Sequence, residues 1–117
     1  MNSFLNNNSN SLGNMIKLLI NLNFKNQTDF AKKILSNNTS VSKLTRIGSP
    51  SEISDTMLFR LYYYLSNEIK YNYISDNLIP EYRETYKLQL ELYKIILEEI
   101  NLRAAKELEN PTGRRKK

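Results

Sequence analysis

QTDFAKKILSNNTSVSKL, Gln27 to Leu44, decides the fold of this chain. It reads as two short helices joined by a tight turn. Phe30, Ala31 and Ile34 recur at i, i+1 and i+4, which sets them on one helical face. Val41 and Leu44 make the same kind of apolar pair in the second segment. Between them lies Ser36-Asn37-Asn38-Thr39-Ser40, a run of residues that cap helices and form turns. The outward positions of the second segment are Asn38, Thr39, Ser42, Lys43 and Arg46. Each can donate a hydrogen bond, and none is acidic. A short helix with an apolar back and a donor-rich front suits the major groove of DNA, where base edges are read by hydrogen bonds.

On the N-terminal side, Asn26 is a good N-cap for the first of these helices, worth about 1 kcal/mol. Before it, residues 12–23 carry Leu12, Met15, Ile16, Leu19, Ile20 and Leu22 on the wide apolar face of another helix. Residues 1–11 are rich in Asn and Ser and read as a flexible arm. The arm has no basic residue, which argues against a minor-groove contact.

On the C-terminal side, Ile47 to Ser51 is a loop, and Ser51 or Ser54 caps a helix over 55–69. Met57, Leu58, Leu61, Tyr62 and Leu65 close the small core from it. Tyr62-Tyr63-Tyr64 covers more than one face, so at least one ring is expected to be partly exposed. Residues 70–79 read as a linker, in which the alternation of Tyr71 and Tyr73 allows a short strand. Pro80 suits the first turn of a helix over 80–109, about 45 Å long at ~1.5 Å per residue. One stripe of that helix is Tyr82, Tyr86, Leu90, Tyr93, Leu97, Ile100, Ala104 and Leu108. A second, nearly opposite, is Leu88, Leu92, Ile95 and Leu102. Two stripes imply burial on two sides, one against the small domain and one against a second copy. The stop at Asn110-Pro111-Thr112-Gly113 is followed by a basic tail, Arg114 to Lys117.

The central stretch resembles the helix-turn-helix of the phage-repressor family (Cro/CI, or Xre). Gln27, Phe30-Ala31, Val41 and then Ser42, Lys43 and Leu44 meet the family's spacing without a gap. Leu58-Phe59-Arg60-Leu61-Tyr62-Tyr63-Tyr64-Leu65 is similar to the family's fourth helix. The resemblance covers roughly residues 12 to 68. It implies a sequence-specific duplex DNA binder, and for Gln27 a role in holding a DNA phosphate. The family usually has Gly four residues after the Ala; this chain has Leu35. A left-handed leucine costs roughly 1–2 kcal/mol, so the turn is expected to be reshaped, with the first helix running a residue longer. Thr45 stands where the family often has Glu, and its usual Arg partner falls near Leu19 or Ile20, so both ends of that ion pair are missing together.

Composition narrows the function. The 117 residues suffice for one domain and an appendage, and no apolar run approaches the ~20 residues that span a bilayer. There is no Cys and no His, which removes disulfides, thiolate metal sites and the usual proton shuttle. The three Gly are scattered, so there is no phosphate-binding loop. Glu98-Glu99 is the only adjacent carboxylate pair; helix neighbours diverge by about 100°, and the pair reads as a solvated face. Net charge is +5, unevenly spread. Residues 14–47 hold Lys17, Lys25, Lys32, Lys33, Lys43 and Arg46 against Asp29 alone, while the middle of the chain is mildly acidic.

These readings converge on an all-α chain: a flexible arm (1–11), a compact helix-turn-helix domain of four to five helices (12–69), a linker (70–79), a long dimerisation or packing helix (80–110) and a basic tail (111–117). The expected function is transcriptional regulation by a dimeric repressor of a phage, plasmid or other mobile element, cytoplasmic and nucleoid-associated. Its DNA contacts are Lys25, Gln27, Asn37, Asn38, Thr39, Ser42, Lys43 and Arg46, and its dimer contacts Leu88, Leu92, Ile95 and Leu102. No catalysis, metal, cofactor or membrane is expected. The alternative is a small mobile-element protein that binds and inhibits a protein partner, as an antirepressor or defence-system inhibitor.

Overall fold

The computed structural model of the protein describes residues 11–74 and 83–109, the side chains of 71–74 excepted. Five α-helices occur among them: α1 (Leu12–Asn23), α2 (Gln27–Lys33), α3 (Asn38–Leu44), α4 (Asp55–Ile74) and α5 (Arg83–Glu109). A 3-10 turn at Pro50–Glu52 lies between α3 and α4. The fold is all-α, with no strand among the described residues. Residues 1–10, 75–82 and 110–117 lie outside this description, and with them most of the arm, half of the expected linker and the basic tail.

Side chains mark where four of the helices begin. Ser11 accepts a hydrogen bond from the Asn14 N–H, Asn26 from Asp29, Asn37 from Ser40 and Ser54 from Met57. Each such cap stabilises a helix by about 1 kcal/mol. That matters most for α2 and α3, with seven residues each, since isolated helices under about 12–15 residues are marginal in water. The start of α1 also docks on the end of α3. The Gly13 N–H donates to the Ile47 carbonyl at 2.8 Å. A Cβ on Gly13 would lie 2.4 Å from the Thr45 carbonyl oxygen, so the backbones can meet only without a side chain there.

One apolar cluster holds the helices together. It joins Met15, Ile16 and Leu19 of α1, Phe30 of α2, Val41 and Leu44 of α3, Leu58, Leu61 and Leu65 of α4, and Leu88, Leu92 and Ile96 of α5. The long helix is thus not an appendage. It packs along α4 and α1, and its buried positions are Thr85, Leu88, Gln89, Leu92, Ile96 and Glu99. Gln89 is fully enclosed and donates to the Tyr64 hydroxyl at 3.3 Å; Asn23 donates to the same oxygen at 3.4 Å. Near its end, Arg103 pairs with Glu99 at 2.7 Å and with Asp55, and donates to the Pro50 and Ile53 carbonyls at 3.2 and 2.8 Å. One guanidinium thereby fastens α5 to the 3-10 turn and to the start of α4.

Several expectations need correction. Leu88 and Leu92 were expected to meet a second copy, but both have 0% exposure within the single chain and belong to its own core. Ile95 is half-buried against that core, and of the four only Leu102 stands exposed. The expected linker is helical at its start: α4 runs to Ile74, so Tyr71 and Tyr73 lie in a helix, not a strand. The turn after α2 is not reshaped. Leu35 takes the left-handed conformation itself, with φ 59°, and α2 ends at Lys33 instead of running longer. Glu99 is not part of a solvated face; it is buried beside Arg103, while Glu98 remains exposed. Among the three consecutive tyrosines, Tyr63 is exposed, Tyr62 stacks on Tyr93 and Tyr64 is buried.

Candidate nucleic-acid interface

α3 presents two unlike sides. Val41 and Leu44 point into the core at 0% and 1% exposure, which fixes the rotation of the helix. Asn38, Thr39 and Lys43 are then exposed and Ser42 half-buried, with Arg46 exposed just beyond the last turn. Seven residues span about 10 Å at ~1.5 Å each, and the major groove of B-DNA is about 12 Å wide. The size and the rotation both follow from the apolar pair and the Asn37 cap.

The polar front is partly organised in advance. Gln27, at the first position of α2, donates through Nε2 to the Ser42 hydroxyl at 2.9 Å and to Asn38 at 3.3–3.4 Å. Asn38 in turn donates through Nδ2 to the Thr28 hydroxyl at 2.7 Å. Four side chains from two helices therefore form one cluster at the joint between α2 and α3. Three of them, Gln27, Asn38 and Ser42, were expected as DNA contacts; Thr28 was not. Nothing in the spacing marks Thr28, because its role depends on how the two helices face each other. These hydrogen bonds lie at the surface, where each contributes only about 0.5–1.5 kcal/mol net, so the donors can exchange partners with a ligand. Asn37, also among the expected DNA contacts, is exposed, and its Oδ1 accepts from the Ser40 N–H as the cap of α3.

Thr39, Lys43 and Arg46 are exposed on this front, and Lys25 is exposed in the turn before α2. Among the described residues, Lys25, Lys43 and Arg46 form no ion pair. Unpaired cations on one face carry condensed anions or attract a polyanion. Thr45 is buried and its hydroxyl donates to the Ser42 carbonyl at 2.8 Å. Leu19 and Ile20 are core residues.

A second surface went unforeseen. Leu35, Phe59 and Tyr63 line a groove of about 630 Å³ between the end of α2 and α4. It exists because the backbone at Leu35 turns its side chain outward, which sequence spacing does not disclose. No described helix is long and apolar enough to cross a membrane. The chain matches no known protein family, no curated protein and no solved structure.

Proposed function

We propose that this protein is a sequence-specific duplex DNA-binding regulator of transcription, a dimeric repressor of a phage, plasmid or other mobile element. The observation that carries this reading is the front of α3: exposed donors and unpaired cations on a short helix whose rotation is fixed by Val41 and Leu44. In this reading α3 enters the major groove. Asn38 pairs with adenine and Lys43 with guanine, while Gln27, Lys25 and Arg46 hold the backbone. The resemblance of residues 12 to 68 to phage repressors supports the same assignment.

Selection of bound sequences from random duplexes, followed by binding titrations, tests it. Asn38→Ala and Lys43→Ala should each cost about 1–3 kcal/mol on the selected site and relax the preference there. Lys25→Ala and Arg46→Ala should weaken binding to every sequence and lower the salt slope by about 1. Equal losses on random and selected DNA for the first two variants would remove the base-reading role. A second reading, inhibition of a protein partner, draws on the exposed groove at Leu35, Phe59 and Tyr63; absence of any selected sequence would favour it.

A further inference from the structure

The hydrogen bonds at the joint between α2 and α3 run in one direction, and the Asn38 backbone carbonyl sets it. A carbonyl only accepts, and this one takes a hydrogen from Gln27 Nε2 at 3.3 Å. The Gln27 amide therefore turns its nitrogen towards α3. The same nitrogen donates to the Ser42 hydroxyl at 2.9 Å and to Asn38 Oδ1 at 3.4 Å. Asn38 must then turn its oxygen towards Gln27, because the opposite placement would set two NH2 groups against each other. Its own nitrogen is left pointing at Thr28, whose hydroxyl accepts at 2.7 Å.

The two holds on the Asn38 amide are unequal. Gln27 Nε2 spreads two hydrogens over three acceptors, and its contact to Oδ1 is long at 3.4 Å. The Thr28 contact is short. Asn38 is exposed, so an untied amide there would turn over in water. Thr28 is the second residue of α2, just behind the Asn26 cap, where the helix holds its backbone. It is the firmer of the two tethers.

The tether leaves Asn38 able to bind. An amide nitrogen has two hydrogens and an amide oxygen two lone pairs. With one of each engaged inside the cluster, one of each remains for a ligand. Adenine shows the N7 acceptor beside the N6 amino donor in the major groove, and an amide reads it with one donor and one acceptor side by side. An amide that turns over offers these in either order. One tied to Thr28 offers them in a single order, and its ordering entropy is already spent before binding.

We propose that Thr28 is a specificity-determining positioning residue: its hydroxyl holds the Asn38 amide in the order that reads adenine, without itself touching the base. The inference rests on the regulator reading and adds to it a residue from outside the recognition helix.

Titration of the full chain and its variants against the duplex that the wild type selects from random sequences tests it. The position read by Asn38 is the one whose preference Asn38→Ala abolishes. There, Thr28→Val, which keeps the shape and removes the hydroxyl, should lower the discrimination for adenine about 3- to 10-fold. Preference elsewhere in the site and the salt slope should stay as in the wild type. Thr28→Ser retains a hydroxyl and should retain the discrimination. Thr28→Val added to Asn38→Ala should change nothing further, since the two act as one unit. In the free protein, the side-chain amide resonances of Asn38 should move in Thr28→Val and not in Thr28→Ser. Circular dichroism checks helix content, and Thr28→Ala, a better helix former, carries the test if Thr28→Val does not fold. Unchanged discrimination in the hydroxyl-free variants overturns the proposal, as does a loss spread evenly over the whole site, which a merely structural role would give. In both cases Asn38→Ala would still relax one position, and the regulator reading would stand. A wild type that selects no sequence, or an Asn38→Ala variant that relaxes no position, overturns that reading and the role of Thr28 with it.

Discussion

The pair α2–α3 and the pair α4–α5 are held by different means. α2 and α3, seven residues each, meet at the surface through Gln27, Thr28, Asn38 and Ser42, and give only a few side chains to the core. α4 and α5, of 20 and 27 residues, bury seven side chains of the core cluster against four from α2 and α3, and add the Tyr62–Tyr93 stack and the Arg103 clamp. Polar surface contacts are worth little each and are easily exchanged. Apolar burial is worth roughly 25 cal/mol per Å² and is not exchangeable. Stability thus resides in the long pair, while the short pair carries the groups that meet a ligand. Its front can change without endangering the fold.

Leu92→Ala challenges that division hardest. Leu92 is fully buried on α5, and truncation should cost about 2–5 kcal/mol in urea unfolding. The protection of the α3 amides should fall together with that of α5. If α3 keeps its protection, the short pair stands on its own and the contrast is lost.

Alkali gives the next largest effect. Tyr64 lies between the pairs, with its ring edge-on to Phe30 at 6.0 Å and its hydroxyl bonded to Gln89. Its phenol is pushed up from 10.0 to about 12, first by burial and then by the Glu68 carboxylate, against the hydrogen bonds from Gln89 and Asn23. The unfolded phenol loses its proton near 10 and the folded one later. The stability this represents is complete below about pH 10 and is lost as pH rises towards about 12, by roughly 2–3 kcal/mol. Tyr64→Phe should flatten that part of the pH profile. An unchanged alkaline slope in the variant would assign it to the other tyrosines.

The smallest effect has the opposite sign. Leu35→Gly relieves the left-handed strain at a side chain that is mostly in water, at the cost of a looser unfolded chain. Thermal unfolding should show a net gain of about 0.5–1 kcal/mol. A loss of stability would mean that the Leu35 side chain is anchored to the body.

The short pair was legible in the sequence because its signals are local. Asn26 caps α2, and the spacing of Phe30, Ala31, Val41 and Leu44 fixes which sides face inward; all of this can be read within a few residues. The exposure of Thr39, Lys43 and Arg46 follows from the same periodicity. The interior side of α5 was not legible. Three of its six buried positions are Thr85, Gln89 and Glu99, polar residues that look like solvent positions in the sequence, although Gln89 meets Tyr64 and Glu99 meets Arg103. With those three discounted, Leu88 and Leu92 seem to form a spare stripe. The Gln27–Asn38–Ser42 cluster and the outward turn of Leu35 escaped for a related reason, since one depends on the angle between helices and the other on a single backbone dihedral.

Arg103 reaches back 50 residues to the Ile53 carbonyl and holds the turn that follows α3. On the ribosome the chain emerges N-terminus first, so α1 to α4 are made while the side that α5 will cover is still wet. The loop that α5 must close is long, and its closure entropy is met only when the last turns arrive. Residues 27–44 are therefore not a portable cassette. Grafted elsewhere, or expressed in a fragment that stops at Ile74, they would lack the partner for Tyr64, the lid over Leu61 and Leu65, and the guanidinium that pins Pro50 and Ile53. The segment that reads last in the chain completes the one that reads first.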